Sequence, residues 1–252
     1  MQHQGVQRER GLMAGLGLYR GQDPREMPAY SIAEAAYYLQ LPPSTLRSWV
    51  RGRAYPTKGG QKRSAPLIRI PAFPEHGSLA LSFMNIVEAH VLGALRRHHQ
   101  VSMPKVREAL NYLETRFSSK HPLIEQEFET DGIALFVQHY GQLIDITADG
   151  QLAMQEAIRA HLRRVERDPA GLPMRFYPFA RDLHATEAKI IVIDPRVSFG
   201  RPVLAGTGIV TSIIVERYCA GESIDDLAQD YGRSRMEIEE VIRCEHLLSK
   251  AA

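Results

Sequence analysis

Residues 31–52 read SIAEAAYYLQLPPSTLRSWVRG, and the rest of the chain is best interpreted outward from them. Ser31 followed three positions later by Glu34 is a reciprocal capping box, in which serine oxygen and glutamate carboxylate each accept a backbone N–H at a helix start. A first helix therefore runs to about Leu39, and Leu41-Pro42-Pro43 breaks it. A second short helix, Ser44 to Arg51, stops at Gly52. Leu46, Trp49 and Val50 stand at i, i+3 and i+4 and make one apolar stripe. Ser44, Arg47, Ser48 and Arg51 occupy the opposite face, where hydroxyl and guanidinium groups can reach phosphates and base edges.

The sequence beyond this helix is rich in Pro, Gly and basic residues from Tyr55 to Pro74. Lys58-Gly59-Gly60-Gln61-Lys62-Arg63 reads as a hairpin-like basic wing, and Leu67 to Ile70 as a strand. Two short helices followed by a basic turn predict a helix-turn-helix DNA reader. The residues expected to face DNA are Ser44, Thr45, Arg47, Ser48, Arg51, Arg53, Lys58, Lys62 and Arg63. The competing reading is an ordinary two-helix core with solvated arginines. Residues 30–70 also resemble the MerR-like winged helix-turn-helix family in its pattern "I-x-E-A-A-x-x-L … S-T-L-R-x-W". One departure is Pro42, which stands where a capping serine is usual.

Charge is divided unevenly along the 252 residues, although the formal net charge is only +2. Residues 30–70 hold seven basic side chains against Glu34 alone, whereas residues 187–252 hold eight basic against eleven acidic. One end is suited to a polyanion and the other is not. No apolar run approaches the ~20 residues a bilayer span needs, and the N-terminus lacks a secretory pattern. The two cysteines, Cys219 and Cys244, sit in no paired spacing, which fits reduced thiols in a cytoplasm.

The expected fold is mainly α with small β elements (α+β). Residues 1–27 read as a flexible arm, 28–75 as the reader, 76–180 as a helical and α+β linking or dimerising segment, and 181–252 as a partner-binding domain. In the middle segment, helices are expected from Ser78 to about His99 and from Pro104 to Phe117. Ile133 to Tyr140 and Leu143 to Thr147 read as two strands, with a helix from Gln151 to Glu166 after them. Helix pairs behind a DNA reader commonly dimerise, and packing within the chain is the equal alternative. His90, His98 and His99 have no Cys or acidic partner at ligand spacing, so no metal and no cofactor is expected. Asp145, Asp149 and Glu166 form no nucleophile–base arrangement, which points away from an enzyme.

The last domain opens with a strand, Lys189 to Ile193, and continues into three helices. The capping residues Ser223 and Ser234 and the stops Gly221 and Gly232 set their limits. Ile224, Leu227, Ala228 and Tyr231 face inward, as do Ile238, Val241 and Ile242. The helix-turn-helix rhythm recurs, but outward acids including Asp225, Asp226, Glu237, Glu239, Glu240 and Glu245 would repel phosphate. A protein-binding or self-associating role is the better reading. Ala205-Gly206-Thr207-Gly208 lacks the lysine of a phosphate loop and reads as a tight turn.

Residues 193–203, IDPRVSFGRPV, with Ala205-Gly206-Thr207-Gly208-Ile209 and later Gly221-Glu222-Ser223-Ile224-Asp225-Asp226-Leu227, resemble the family termed "domain of unknown function 433". Val210 stands where that family has proline. The order of reader, middle segment with His121-Pro122-Leu123, Phe128 and Thr130-Asp131-Gly132, then this domain, resembles VapB-type antitoxins. The resemblance implies autorepression at operator DNA and neutralisation of a PIN-like ribonuclease toxin, by a homodimer or higher oligomer. Such a nuclease clusters carboxylates around a metal. Arg196 and Arg201, with Phe199 between them, could then plug its site by bidentate pairing, or could simply brace their own loop. The rival function is a one-component MerR-like regulator answering a small ligand.

Overall fold

The structure is a computed structural model that describes residue 19 and residues 21–57, 59–71, 80–99, 103–117, 120–125, 128, 132–144, 147–178 and 189–249. It is an α+β fold, with nine α-helices and four two-stranded antiparallel sheets among the described residues.

The capping box forms as the sequence requires. The Ser31 N–H donates to Glu34 Oε2 at 2.8 Å and the Glu34 N–H to Ser31 Oγ at 3.2 Å. They start α1 (Ile32–Leu39), which ends at Gln40 in the left-handed region. The second helix, α2 (Pro43–Arg51), starts without a side-chain cap because Pro42 occupies the N-cap; Pro43 supplies a pre-set φ at N1. Strand β1 (Tyr30–Ser31) pairs with β4 (Ala80–Leu81), and β2 (Ala54–Thr57) pairs with β3 (Gly60–Arg63) to form the wing. Gly52 has φ +71°, and a Cβ there would lie 2.0 Å from the Ser64 carbonyl oxygen, so only glycine lets the chain close behind the wing. The strand expected over Leu67–Ile70 is not formed. The Leu67 and Ile68 N–H groups instead donate to the Trp49 carbonyl, satisfying the open end of α2.

Helix α3 (Phe83–His99) runs through the centre of the molecule. Every residue from Phe83 to Leu95 is buried, so it is covered on all sides. It packs against α1 and, together with α4 (Met103–Phe117), α5 (Ile133–Ile144) and α6 (Ala148–Leu162), belongs to one apolar cluster running from Tyr30 to Ile193. The reader and the middle segment thus share a core. Of the strands expected over 133–140 and 143–147, residues 133–144 form α5 instead. Its β-branched and aromatic residues suggested strands, but Ile133, Phe136, Val137 and Tyr140 are the buried ones, and that spacing is helical.

The stretch read as a flexible arm is partly docked. The Arg25 guanidinium pairs with Asp168 at 2.7 Å and with Asp23 at 2.7 Å, and the Tyr19 hydroxyl donates to the Pro195 carbonyl at 3.0 Å. Strands β5 (Val165–Arg167) and β6 (Pro173–Phe176) form a hairpin whose end pairs Phe176 with Ile193. From there β7 (Ile191–Val192), β8 (Val203–Leu204), α7 (Thr211–Cys219), α8 (Ile224–Tyr231) and α9 (Arg235–Ser249) build the C-terminal domain. Its own core contains Leu204, Ile214, Leu227, Ile238 and Val241. Of the two thiols, Cys244 is buried and Cys219 exposed.

A charged chain runs from the buried Glu88 through the buried His121 to the exposed Glu26. His121 stands 3.1 Å from Glu88 of α3 and 3.2 Å from Glu26. Burial works to lower the imidazole's pKa, but its two carboxylate partners outweigh this and hold it up at about 10. Burial pushes the Glu88 carboxyl upward, while the His121 hydrogen bond holds Glu26 below its usual range. The imidazolium's contribution to stability is complete below its ordinary value near 6.5 and fades as pH rises through about 10. The urea midpoint of the wild type should therefore fall more steeply between these pH values than that of His121→Asn.

Candidate nucleic-acid interface and partner loop

On α2 the inward stripe forms as expected, with Leu46, Trp49 and Val50 buried. Ser44, Arg47 and Arg51 are exposed, as are Arg53, Lys62 and Arg63 of the wing side. Arg63 donates to the Arg51 carbonyl at 3.1 Å, which ties the wing to the end of the helix. Lys58 lies outside the described residues. Ser48 is half-buried and donates to the Thr45 carbonyl at 2.7 Å. Thr45 does not share the outward face: it is 7% exposed, and its hydroxyl accepts from Arg96 of α3 at 2.6 Å. Arg96 is itself exposed and so adds a guanidinium beside α2. No local signal marks it, because it lies 51 residues from its partner.

None of Arg47, Arg51, Arg53, Lys62 and Arg63 forms an ion pair among the described residues, whereas the arginines of α7 to α9 are matched. Arg217 pairs with Glu222 and Asp230, Arg233 with Glu237, Arg235 with Asp225 and Glu239, and Arg243 with Glu240. Of the acids expected to point outward there, Glu245 instead turns toward α1, where it accepts from the Tyr37 hydroxyl. The reader and the C-terminal helices, similar in rhythm, thus differ among the described residues in how far their positive charge is paired.

The second candidate site is the turn between β7 and β8. Asp194, buried, accepts the Arg196 N–H at 2.9 Å and its guanidinium at 3.3 Å, and it also takes Arg175 at 3.2 Å. Arg196 is therefore engaged by its own loop while staying about half exposed. Among the described residues, the Arg201 guanidinium donates to the Ser198 carbonyl alone, at 3.4 Å. Between them Phe199 is 69% exposed. Ser198 and Phe199 both have positive φ, +47° and +56°, a costly backbone for non-glycine residues. The Tyr30 hydroxyl holds this turn by donating to the Gly200 carbonyl at 3.0 Å. Tyr30 was not singled out in the sequence, since its partner is 170 residues away.

His90, which suggested a metal ligand, is buried against His161 and Phe176, with its Nε2 on the His161 carbonyl at 3.2 Å. The side chains of His98 and His99 lie outside the described residues. Among the described residues no group of three or more His, Cys, Asp or Glu is placed to share a metal ion, and no helix is long and apolar enough to cross a membrane.

Parts of the chain are similar to known proteins. Residues 191–243 match the family described as "Protein of unknown function (DUF433)", and residues 28–110 match "Putative DNA-binding HTH domain". Over 228 residues the chain is 28% identical to "Putative antitoxin VapB45" of Mycobacterium tuberculosis, spanning 82% of this chain and 89% of that one. The chain is thus similar to a protein named as a putative VapB-type antitoxin. It is also 25% identical over 223 residues to "Uncharacterized protein Rv2308" of the same organism, covering 84% and 88% of the two chains. The crystal structure of Rv2018 from Mycobacterium tuberculosis superposes with a TM-score of 0.67 at 25% identity, over 86% of this chain and 98% of that one. The helix-turn-helix match extends to residue 110, well past the wing, which accords with α3 being part of the reader's core.

At the DUF433 turn, a Cβ on Gly200 would lie 2.2 Å from the Tyr30 hydroxyl, at a φ of +76°. Gly200→Ala should cost about 1–3 kcal/mol of stability in chemical denaturation. Phe199→Ala, which removes an exposed ring, should stay within about 0.5 kcal/mol of the wild type.

Proposed function

We propose that this chain is a non-catalytic antitoxin that represses its own operon and neutralises a PIN-like ribonuclease. The observation that carries the DNA half is the contrast in charge pairing: among the described residues Arg47, Arg51, Arg53, Lys62 and Arg63 form no ion pair, while the arginines of α7 to α9 are paired within the domain. In this reading α2 enters the major groove with Ser44, Arg47, Ser48 and Arg51, and Arg53, Lys58, Lys62 and Arg63 follow the phosphates. Thr45 has a different part, holding Arg96 beside the same face. A homodimer or higher oligomer would present two readers to a symmetric operator, acting in the cytoplasm.

The partner half rests on the named similarity to an antitoxin and on the exposed turn that carries Arg196, Phe199 and Arg201. Phe199 supplies an apolar anchor, and Arg201 supplies a guanidinium able to pair with a nuclease's metal-binding carboxylates. Arg196 braces the turn through Asp194 and is the weaker plug. The cleft described below keeps a ligand-responsive regulator as the second reading.

Fluorescence anisotropy on the promoter DNA of its own gene tests the first half. Arg47→Ala and Arg51→Ala should each weaken binding and lower the salt slope by about one where a phosphate contact is lost. Arg235→Ala should leave both unchanged, and an effect equal to that of Arg47→Ala would overturn the assignment of the reader. Co-expression with the small adjacent reading frame tests the second half. A stable complex with a silenced ribonuclease is expected, and Phe199→Ala with Arg201→Ala should release the nuclease.

A further inference from the structure

A cleft of about 820 Å3 separates the reader from the C-terminal domain. One wall is α1 and the turn into α2, with Tyr37, Tyr38, Leu41 and Pro42; the other is Thr211 at the start of α7 and Glu245 of α9. Small-molecule sites measure ~300–1,000 Å3 and combine apolar walls with a few placed polar groups. The tyrosine and proline surfaces suit an apolar body.

The charges decide what kind of body. Two carboxylates, Glu34 and Glu245, line the cleft. Glu34 accepts the Ser31 N–H at 2.8 Å. Glu245 accepts from the Tyr37 hydroxyl and, at 2.8 Å, from the Thr211 hydroxyl. These neutral donors fix the carboxylates without cancelling their charge, and neither forms an ion pair among the described residues. Burial, reinforced by the nearby acids, raises the Tyr37 and Tyr38 hydroxyls above their usual range and keeps both rings neutral. Arg201 is the cation among the described lining residues, and it sits exposed with its Nε turned to the Ser198 carbonyl. The interior is therefore aromatic and acidic, the combination that attracts a cation to a ring face.

We propose that this cleft binds a small organic cation, an amine or guanidine carried on an aromatic or other apolar body. Glu245 and Glu34 face the charge, and the Tyr37 and Tyr38 rings take the body. The walls belong to the reader and to the C-terminal domain, so occupancy favours one arrangement of the two and is linked to any binding event that depends on it. This assignment stands independently of the antitoxin reading, and its test uses neither DNA nor toxin.

Calorimetric titration of the full chain with tryptamine and with indole-3-propionate compares the same ring with opposite charge. Tryptamine should bind saturably with a sub-millimolar Kd, about tenfold or more tighter than the acid. Glu245→Gln should weaken tryptamine about tenfold, and Arg201→Ala should not weaken it. Circular dichroism checks that each variant is folded; if Glu245→Gln is not, Tyr38→Leu takes its place, with loss of tryptamine affinity expected. The proposal is overturned if tryptamine does not saturate at several millimolar. It also fails if the acid binds as well as the amine, or if a folded Glu245→Gln or Tyr38→Leu keeps the wild-type affinity.

Discussion

The structure depends on keeping α3 dry. A helix buried from Phe83 to Leu95 has no solvent face, so the elements before and after it must close around it. Its polar side chains are admitted only with partners. Asn85 donates to the Arg69 carbonyl and to Glu88, and His90 meets the His161 carbonyl, since an unpaired polar group in this position would cost on the order of 1–3 kcal/mol. The reader is therefore mounted on the same helix that organises the middle of the chain, and α2 takes its orientation from that packing as well as from its own short stripe.

The second organising term is how cations are matched. Surface ion pairs add little stability each, so the pairs on α7 to α9 matter less for holding that domain together than for cancelling its field. Among the described residues, the cations of α2 and the wing form no such pairs. Topologically alike helical units can thus serve different partners because their side chains are balanced differently, a distinction that fold comparison alone does not make.

Much of this was legible in sequence because it is local. Ser31 and Glu34, Ser223 and Gly232 announce helix ends through contacts within four residues, and Leu46, Trp49 and Val50 reveal their buried face by spacing. Residues 133–144 misled because Ile, Phe, Val and Tyr suit both strand and helix, and propensity yields to packing between α4 and α6. Leu67 to Ile70 misled similarly, since the N–H groups that a strand would pair go to the Trp49 carbonyl instead. The rest was not legible because it is distant in the chain. Arg96 with Thr45, Tyr30 with Gly200, and Tyr37 with Glu245 join residues between 51 and 208 positions apart, and no window along the sequence contains both members.

The left-handed pair Ser198-Phe199 has a kinetic meaning as well. The backbone there is already committed to one shape, held by a tyrosine from the far end of the chain. A partner docking on Phe199 as proposed would meet a preorganised knob rather than a loop that must first find its form, so little ordering entropy would be left to lose on contact. Encounter at that proposed site would then be governed by diffusion and by the charges nearby, and differences between partners would be expressed mainly in how long each stays bound.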